Sequence, residues 1–185
     1  PWMSAISVSK GAGSVINGYE AIAGQISVDY KKPATSEKIF VNAYGNSEGM
    51  IEFNANTGIR LNDKWSTAIL ANGDWLTMEH DGNHDGFLDM PKTTQYNVMN
   101  RWQYKTDTWF LQFGGKLLDE TRLGGQKGFR KEMRGSLHSK PLYGIGIDSR
   151  RYEGFLKLGY LMPQYENTSM AILVNYTDHD QDSYY

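Results

Sequence analysis

The chain has 185 residues, a net charge of −2 and no cysteine. That length suits one ordinary domain, the charge offers no basic field for nucleic acid, and the missing thiols exclude disulfides and thiolate metal sites. A mean hydropathy of −0.57 comes with no apolar run long enough for a spanning helix, although strands of alternating polarity can cross a bilayer and still average out as hydrophilic.

Along the chain, the first distinct stretch is "KGAGSVINGYEAIAGQISVDYKKP", Lys10 to Pro33. It holds too many glycines for a helix and too many apolar residues for a linker. "QISVDY" reads as a short strand, and Pro33 ends it because proline cannot donate to a ladder. "GAGSVING" lacks the Lys-Ser/Thr of a phosphate loop and any helix after it.

From Ile39 onward the dominant period is two, the mark of a sheet with one apolar face. Seven strands are predicted, at about 38–46, 50–61, 65–78, 95–104, 109–119, 148–161 and 168–177. In "IEFNANTGIRL", Ile51, Phe53, Ala55, Thr57, Ile59 and Leu61 share a face opposite Glu52, Asn54, Asn56, Gly58 and Arg60. In "WSTAILANGDW", Trp65, Thr67, Ile69, Ala71, Gly73 and Trp75 stand opposite Ser66, Asn72 and Asp74. Trp109, Leu111, Phe113, Gly115 and Leu117 repeat the pattern, as do Tyr152, Leu156, Leu158 and Tyr160, then Met170, Ile172, Val174 and Tyr176. Glycine, tyrosine and tryptophan are abundant, which suits antiparallel β-structure.

After a short link at "NSEG", tight turns ("NDK", "KTDT", "MPQYEN") alternate with long polar loops at about 79–94 and 120–147. Outer-membrane barrels have this asymmetry of short turns and long external loops. Trp65 and Trp75 lie roughly 33 Å apart along a strand. At a tilt of about 40° this projects to roughly 25 Å, the height of an apolar band flanked by aromatic girdles. Trp65, Trp75, Trp109, Tyr160 and Tyr176 are the candidate girdle. Aromatics at strand ends are common in any sheet. The opposite face carries Glu52, Asn54, Asn56, Arg60, Arg101, Gln103, Lys116, Arg151, Glu153 and Lys157, a set that requires water or a polar filling rather than a dry core.

"DGNHDGFLDMP" is the other chemical signal. Asp81, Asn83, Asp85, Phe87 (through its carbonyl) and Asp89 match positions 1, 3, 5, 7 and 9 of an EF-hand-type calcium loop, with Gly86 at the sharp turn. Position 12 is Lys92 instead of a bidentate Glu, and Asp, Asn and Gly favour turns without any metal. His80 and His84 have the spacing of a helical metal pair but stand in a loop. Ca²⁺ is the one cofactor the pattern suggests. No nucleophile–base order or paired-acid arrangement stands out, so the chain does not read as an enzyme.

The Lys10–Pro33 stretch resembles the end of the plug domain of TonB-dependent outer-membrane receptors and transporters. The match rests on Gly11, Gly13, Ser14, Gly18, Ala21, Gly24 and Ile26, followed by Lys31, Lys32 and Pro33; Asn17 and Ala23 depart from the usual pattern. The resemblance implies residues 1–33 as the last part of a plug and 34–185 as the first part of a transmembrane β-barrel, about seven of about 22 strands. The chain would then be a portion of a longer protein. It further implies an outer-membrane location in a Gram-negative bacterium, with lipid around the barrel. A siderophore, haem, cobalamin or other metal complex would be carried into the periplasm. A TonB–ExbB–ExbD complex would act through an upstream segment, and a surface lipoprotein is an alternative partner to a small ligand. The basic stretch "TRLGGQKGFRKEMRGSLHSKP" would suit an anionic ligand. Two other readings stay open: a soluble calcium-binding β-sandwich such as a carbohydrate-binding module, and a passive porin, which would need no plug segment.

Overall fold

The computed structural model describes residues 2–13, 22–133, 142–165 and 168–185. The chain is all-β, with nine antiparallel strands and no α-helix among the described residues. Strands β1 (Met3–Lys10) and β2 (Gly24–Tyr30) pair as a separate hairpin. The other seven form one sheet in chain order: β3 (Phe40–Gly45), β4 (Met50–Arg60), β5 (Trp65–Leu76), β6 (Lys92–Lys105), β7 (Trp109–Gly125), β8 (Gly144–Leu161) and β9 (Ser169–Tyr184). The sheet is open, with β3 at one edge and β9 at the other.

Register follows from the alternation. Asn54 pairs with Asn72 and Asn72 with Asn97, while on the other face Ala55 pairs with Ala71 and Ala71 with Val98. A slip of one residue would carry every polar side chain to the apolar side.

The seven predicted strands all appear, but several are longer than expected. β6 begins at Lys92, β7 runs to Gly125, β8 starts at Gly144 and β9 reaches Tyr184. The long connections therefore shrink to 77–91 and 126–143. The added residues are mostly polar or glycine, apart from Leu123, Ile145 and Ile147, and read as loop by composition. They are strand because a neighbour satisfies their backbone, as in Glu120↔Ser149 and Arg122↔Ile147. Strand β1 was not expected at all.

Of the plug-like set, Gly11 (φ 92°) and Gly13 follow β1 and Gly24 opens β2, paired with Lys10. Ser14, Gly18 and Ala21 lie outside the described residues.

A small core forms where the hairpin meets the sheet. Trp2, Ala68, Leu70 and Met99 are buried together, with Tyr30 packed against them. These are polar-face positions of β5 and β6. The hairpin thus lies on the polar side of the sheet and leaves the apolar side bare.

Candidate functional site

The two faces of the sheet are inverted relative to a water-soluble core. On β4, Asn54 and Asn56 are 1% and 5% exposed, whereas Ile51 and Phe53 are 57% and 44% exposed. The bare face continues through Ile69, Val98, Leu117, Leu156, Ile172 and Val174, all exposed. Asn100 is a polar interruption within it, and its amide is satisfied internally. It donates to Thr67 Oγ1 and the Ala68 carbonyl, and accepts from Trp102 Nε1 at 2.7 Å.

Aromatic side chains border this face at both ends. At the tight-turn end, Trp65 meets Tyr104 with centroids 4.9 Å apart, and Trp109 meets Tyr160 at 4.7 Å. Trp102 stacks on Phe113 one step inward. Toward the long-connection end, Trp75 donates from Nε1 to the Tyr96 hydroxyl at 3.1 Å. The Trp75 ring folds back over Gly73, where a Cβ would sit 2.5 Å from it. Tyr152 on β8 and Tyr176 on β9 are exposed two residues apart in register. One step beyond them the same face turns charged: Arg150 pairs with Asp119 at 3.0 Å, and Asp178 and Asp180 follow on β9. All five candidate girdle residues therefore lie on the bare face, Trp65, Trp75, Trp109 and Tyr160 near strand ends and Tyr176 in the middle of β9, where its apolar run gives way to Asp178. Tyr96 and Tyr104 belong to the same rows and carry the same period-two signal; sequence reasoning missed them.

The covered face is a hydrogen-bonded polar surface. Asn72 Nδ2 donates to Asn54 Oδ1 and to Asp74 Oδ1, Asn97 donates to Asn72, and Gln95 to Asp74. Farther along, Gln112 donates to Gln103. The hairpin is tied to this surface by Arg101, which donates from Nη1 to the Lys31 carbonyl at 2.8 Å. The Arg101 guanidinium lies over the Phe155 ring, and Gly114 leaves the space, since a Cβ there would meet that ring at 3.0 Å. Beyond Arg101, a cleft of about 580 Å³ opens between β2 and strands β6–β9, with Tyr30, Gln112, Lys116, Glu153 and Lys157 in its walls. Lys116 approaches Glu153 at 3.8 Å, and Arg151 reaches the same carboxylate at 3.1 Å.

At the long-connection end, the 81–89 turn is held by its own side chains. Asp81 accepts the amides of Asp85 and Gly86, Asp85 accepts that of Phe87 at 2.8 Å, and Asp89 accepts that of Gly82. The Phe87 amide, then the Asn83 side chain, hold the Asp85 carboxyl below its ordinary pKa. Gly86 has φ 87°, the sharp turn expected there. Asn83 donates to Asp85, and Lys127 stands 3.8 Å from Asp81. His80 faces Glu48 at 2.9 Å. Among the described residues, no three His, Asp or Glu side chains converge as a metal-ligand set.

The turn is stitched to the second long connection. Phe87 bridges Gln126, Lys127 donates its amide to the Gly86 carbonyl, and the Phe87 and Tyr143 rings lie 6.4 Å apart. Glu79 accepts from Lys92 at 2.8 Å and from the Gly128 amide. Of the basic stretch, Arg122 lies within β7, Lys127 and Lys131 pair with Asp81 and Asp148, and 134–141 lie outside the described residues.

Comparison with family models, with curated proteins and with solved structures finds no match for this chain.

Proposed function

We propose that this chain forms wall and plug-end segments of a TonB-dependent outer-membrane transporter, which takes up a scarce ligand such as a siderophore, haem, cobalamin or another metal complex. One observation carries the reading: the sheet leaves its apolar face bare between two aromatic rows and covers its polar face with a glycine-flanked hairpin. A lipid-facing barrel wall around a polar filling has that polarity. A β-sandwich would turn the apolar face toward a second sheet, and among the described residues no second sheet covers it. A passive porin would leave the polar face open to water, without the packing of Trp2 and Tyr30. In this reading β3 and β9 are paired to the remaining strands of a barrel of about 22, and the hairpin is the part of the plug nearest the wall. The inner-membrane TonB–ExbB–ExbD complex supplies the pull that moves the plug.

Calcium enters only at the 81–89 turn. Asp81 and Asp85 keep lone pairs free beside the backbone amides they accept, but Lys92 stands where the bidentate Glu would be, so binding would be weak, of the extracellular type (about 10⁻⁴–10⁻³ M). Millimolar Ca²⁺ that protects this turn from proteolysis would support the site, and an unchanged digest would remove it.

The deciding test is fractionation of cells making the native protein, with mass spectrometry following the Asp81–Pro91 peptide. Recovery in the outer membrane, released only by detergent, is expected. Recovery as a soluble protein would overturn the reading.

A further inference from the structure

We propose that the cleft between β2 and strands β6–β9 binds a small ligand bearing several oxyanions, carboxylate or phosphate, with Arg101 as its anchor. At about 580 Å³ the cleft falls within the range of small-molecule sites, roughly 300–1,000 Å³. Three cations enter it from three strands: Arg101 from β6, Lys116 from β7 and Lys157 from β8. Glu153 is the acid in its walls, and Lys116 and Arg151 already share it. Arg101 and Lys157 face aromatic rings instead of acids: Arg101 lies 5.5 Å from the Phe155 centroid and Lys157 6.0 Å from that of Phe110. No carboxylate among the described residues forms a salt bridge with either.

Arg101 is drawn partly out of water with no acid bonded to it, which is costly, and a bound anion repays that cost; Lys157 is exposed and adds charge at the mouth of the cleft. The remaining polar groups around the cleft fit the same ligand. The Tyr30 hydroxyl and the side chains of Asn175 and Thr177 can all donate to oxygen. Arg101 is held ready: its guanidinium lies over the Phe155 ring, and the Lys31 carbonyl takes one of its five N–H groups. Four donors remain, enough for the bidentate grip that suits carboxylate and phosphate. A neutral ligand would give neither cation a bonded counter-charge.

In naming the ligand class of a transporter, this inference rests on the reading above. Its test reads binding and not membrane residence, so the two fail separately. Calorimetry on the native protein, purified in detergent micelles, would titrate pyrophosphate, tricarballylate and neutral sucrose. Binding of either or both anions, and not of sucrose, is expected, and the preferred anion tells phosphate from carboxylate. Arg101→Gln should weaken that binding about tenfold or more, as loss of a charged hydrogen bond does. Lys157→Gln should weaken it less, and Arg101→Lys should restore part of it. Arg60→Gln, at an exposed cation outside the cleft, should change nothing. Affinity should also fall as salt rises. Should Arg101→Gln fail to fold, judged by circular dichroism, the Lys157→Gln and Arg101→Lys titrations carry the test. Absence of anion binding, equal binding of sucrose, or an affinity indifferent to these substitutions would overturn the proposal.

Discussion

Ile69 and Leu70 are chain neighbours on β5 with opposite surroundings. Leu70 is 1% exposed beneath the hairpin, packed with Trp2, Ala68 and Met99, while Ile69 is 43% exposed on the bare face. The same contrast runs down the sheet: side chains of one face are held by protein, and those of the other by whatever solvent the molecule lives in. Sequence alternation separates the two sets but does not say which faces outward. That is decided by what covers each face, and here the covered face is the polar one. The energetic consequence is asymmetric. Changes on the covered face should cost the same in any medium, whereas changes on the bare face should depend on the medium.

The largest expected effect is on the covered side. Leu70→Ala removes the most buried large apolar side chain under the hairpin, and substitutions of that kind cost about 2–5 kcal/mol. Urea unfolding should show this, together with earlier tryptic cleavage at Lys10 as the hairpin loosens. An equal and small cost for Leu70→Ala and Ile69→Ala would break the contrast. Next comes Ile69→Arg on the bare side. In a lipid bilayer an arginine near mid-band costs about 2–4 kcal/mol, but on a water-exposed surface the change would stay within about 0.5 kcal/mol. Refolding into vesicles, with and without the substitution, separates the two cases.

Much of this contrast was legible in the sequence because the strands alternate cleanly. Trp65 to Trp75 and Trp109 to Leu117 place their side chains on one face by period alone, and the pairing follows from them. β1 was not legible. "MSAISVSK" has only Ile6 and Val8 as bulky alternating residues, its side chains are exposed throughout, and it becomes a strand by pairing with Gly24–Tyr30. The polar strand ends at Lys92–Thr94 and Asp178–Tyr184 were hidden for a similar reason, since a neighbouring backbone makes them strand and their side chains do not announce it. At the cleft, Arg101, Lys116, Glu153 and Lys157 were recognisable as polar-face residues. Their meeting with Tyr30 depends on where the hairpin docks, which no local pattern encodes.

A smaller effect tests the border of the bare face. Trp75→Ala removes the edge-on ring pair with Tyr96, centroids 5.7 Å apart, and the indole-to-hydroxyl hydrogen bond. Such pairs contribute about 0.5–1.5 kcal/mol beyond their buried area. Gly73→Val should lose a similar amount while keeping the tryptophan, because its Cβ would occupy the place of the ring. Blue-shifted Trp75 emission in vesicles, lost in Gly73→Val, would sharpen the comparison by placing this row at an interface. Unchanged emission between vesicles and water would put Trp75 in the same medium in both.

The smallest expected effect lies outside both faces, where Glu79 joins the two long connections. The Lys92 ammonium, foremost, holds the Glu79 carboxyl below its ordinary value of 4.5, and the Gly128 amide adds to this. A carboxyl whose folded pKa is depressed stabilises the fold fully above the unfolded value and loses that contribution as pH falls through the folded one. The loss should therefore begin below about pH 4.5 and be complete once the folded carboxyl is protonated. Because the pair is partly exposed, the amount is about 0.2–1 kcal/mol, well below the cost of Leu70→Ala. Glu79→Gln removes the titrating group, so the acid-dependent part of the stability should flatten by that much. Protease susceptibility of the 126–133 segment is the sensitive readout, since the Gly128 amide donates to a weaker, uncharged acceptor once Glu79 is protonated. If wild type and Glu79→Gln show the same pH profile there, Glu79 does not tie the two connections together, and the backbone contacts of Phe87 and Lys127 hold them alone.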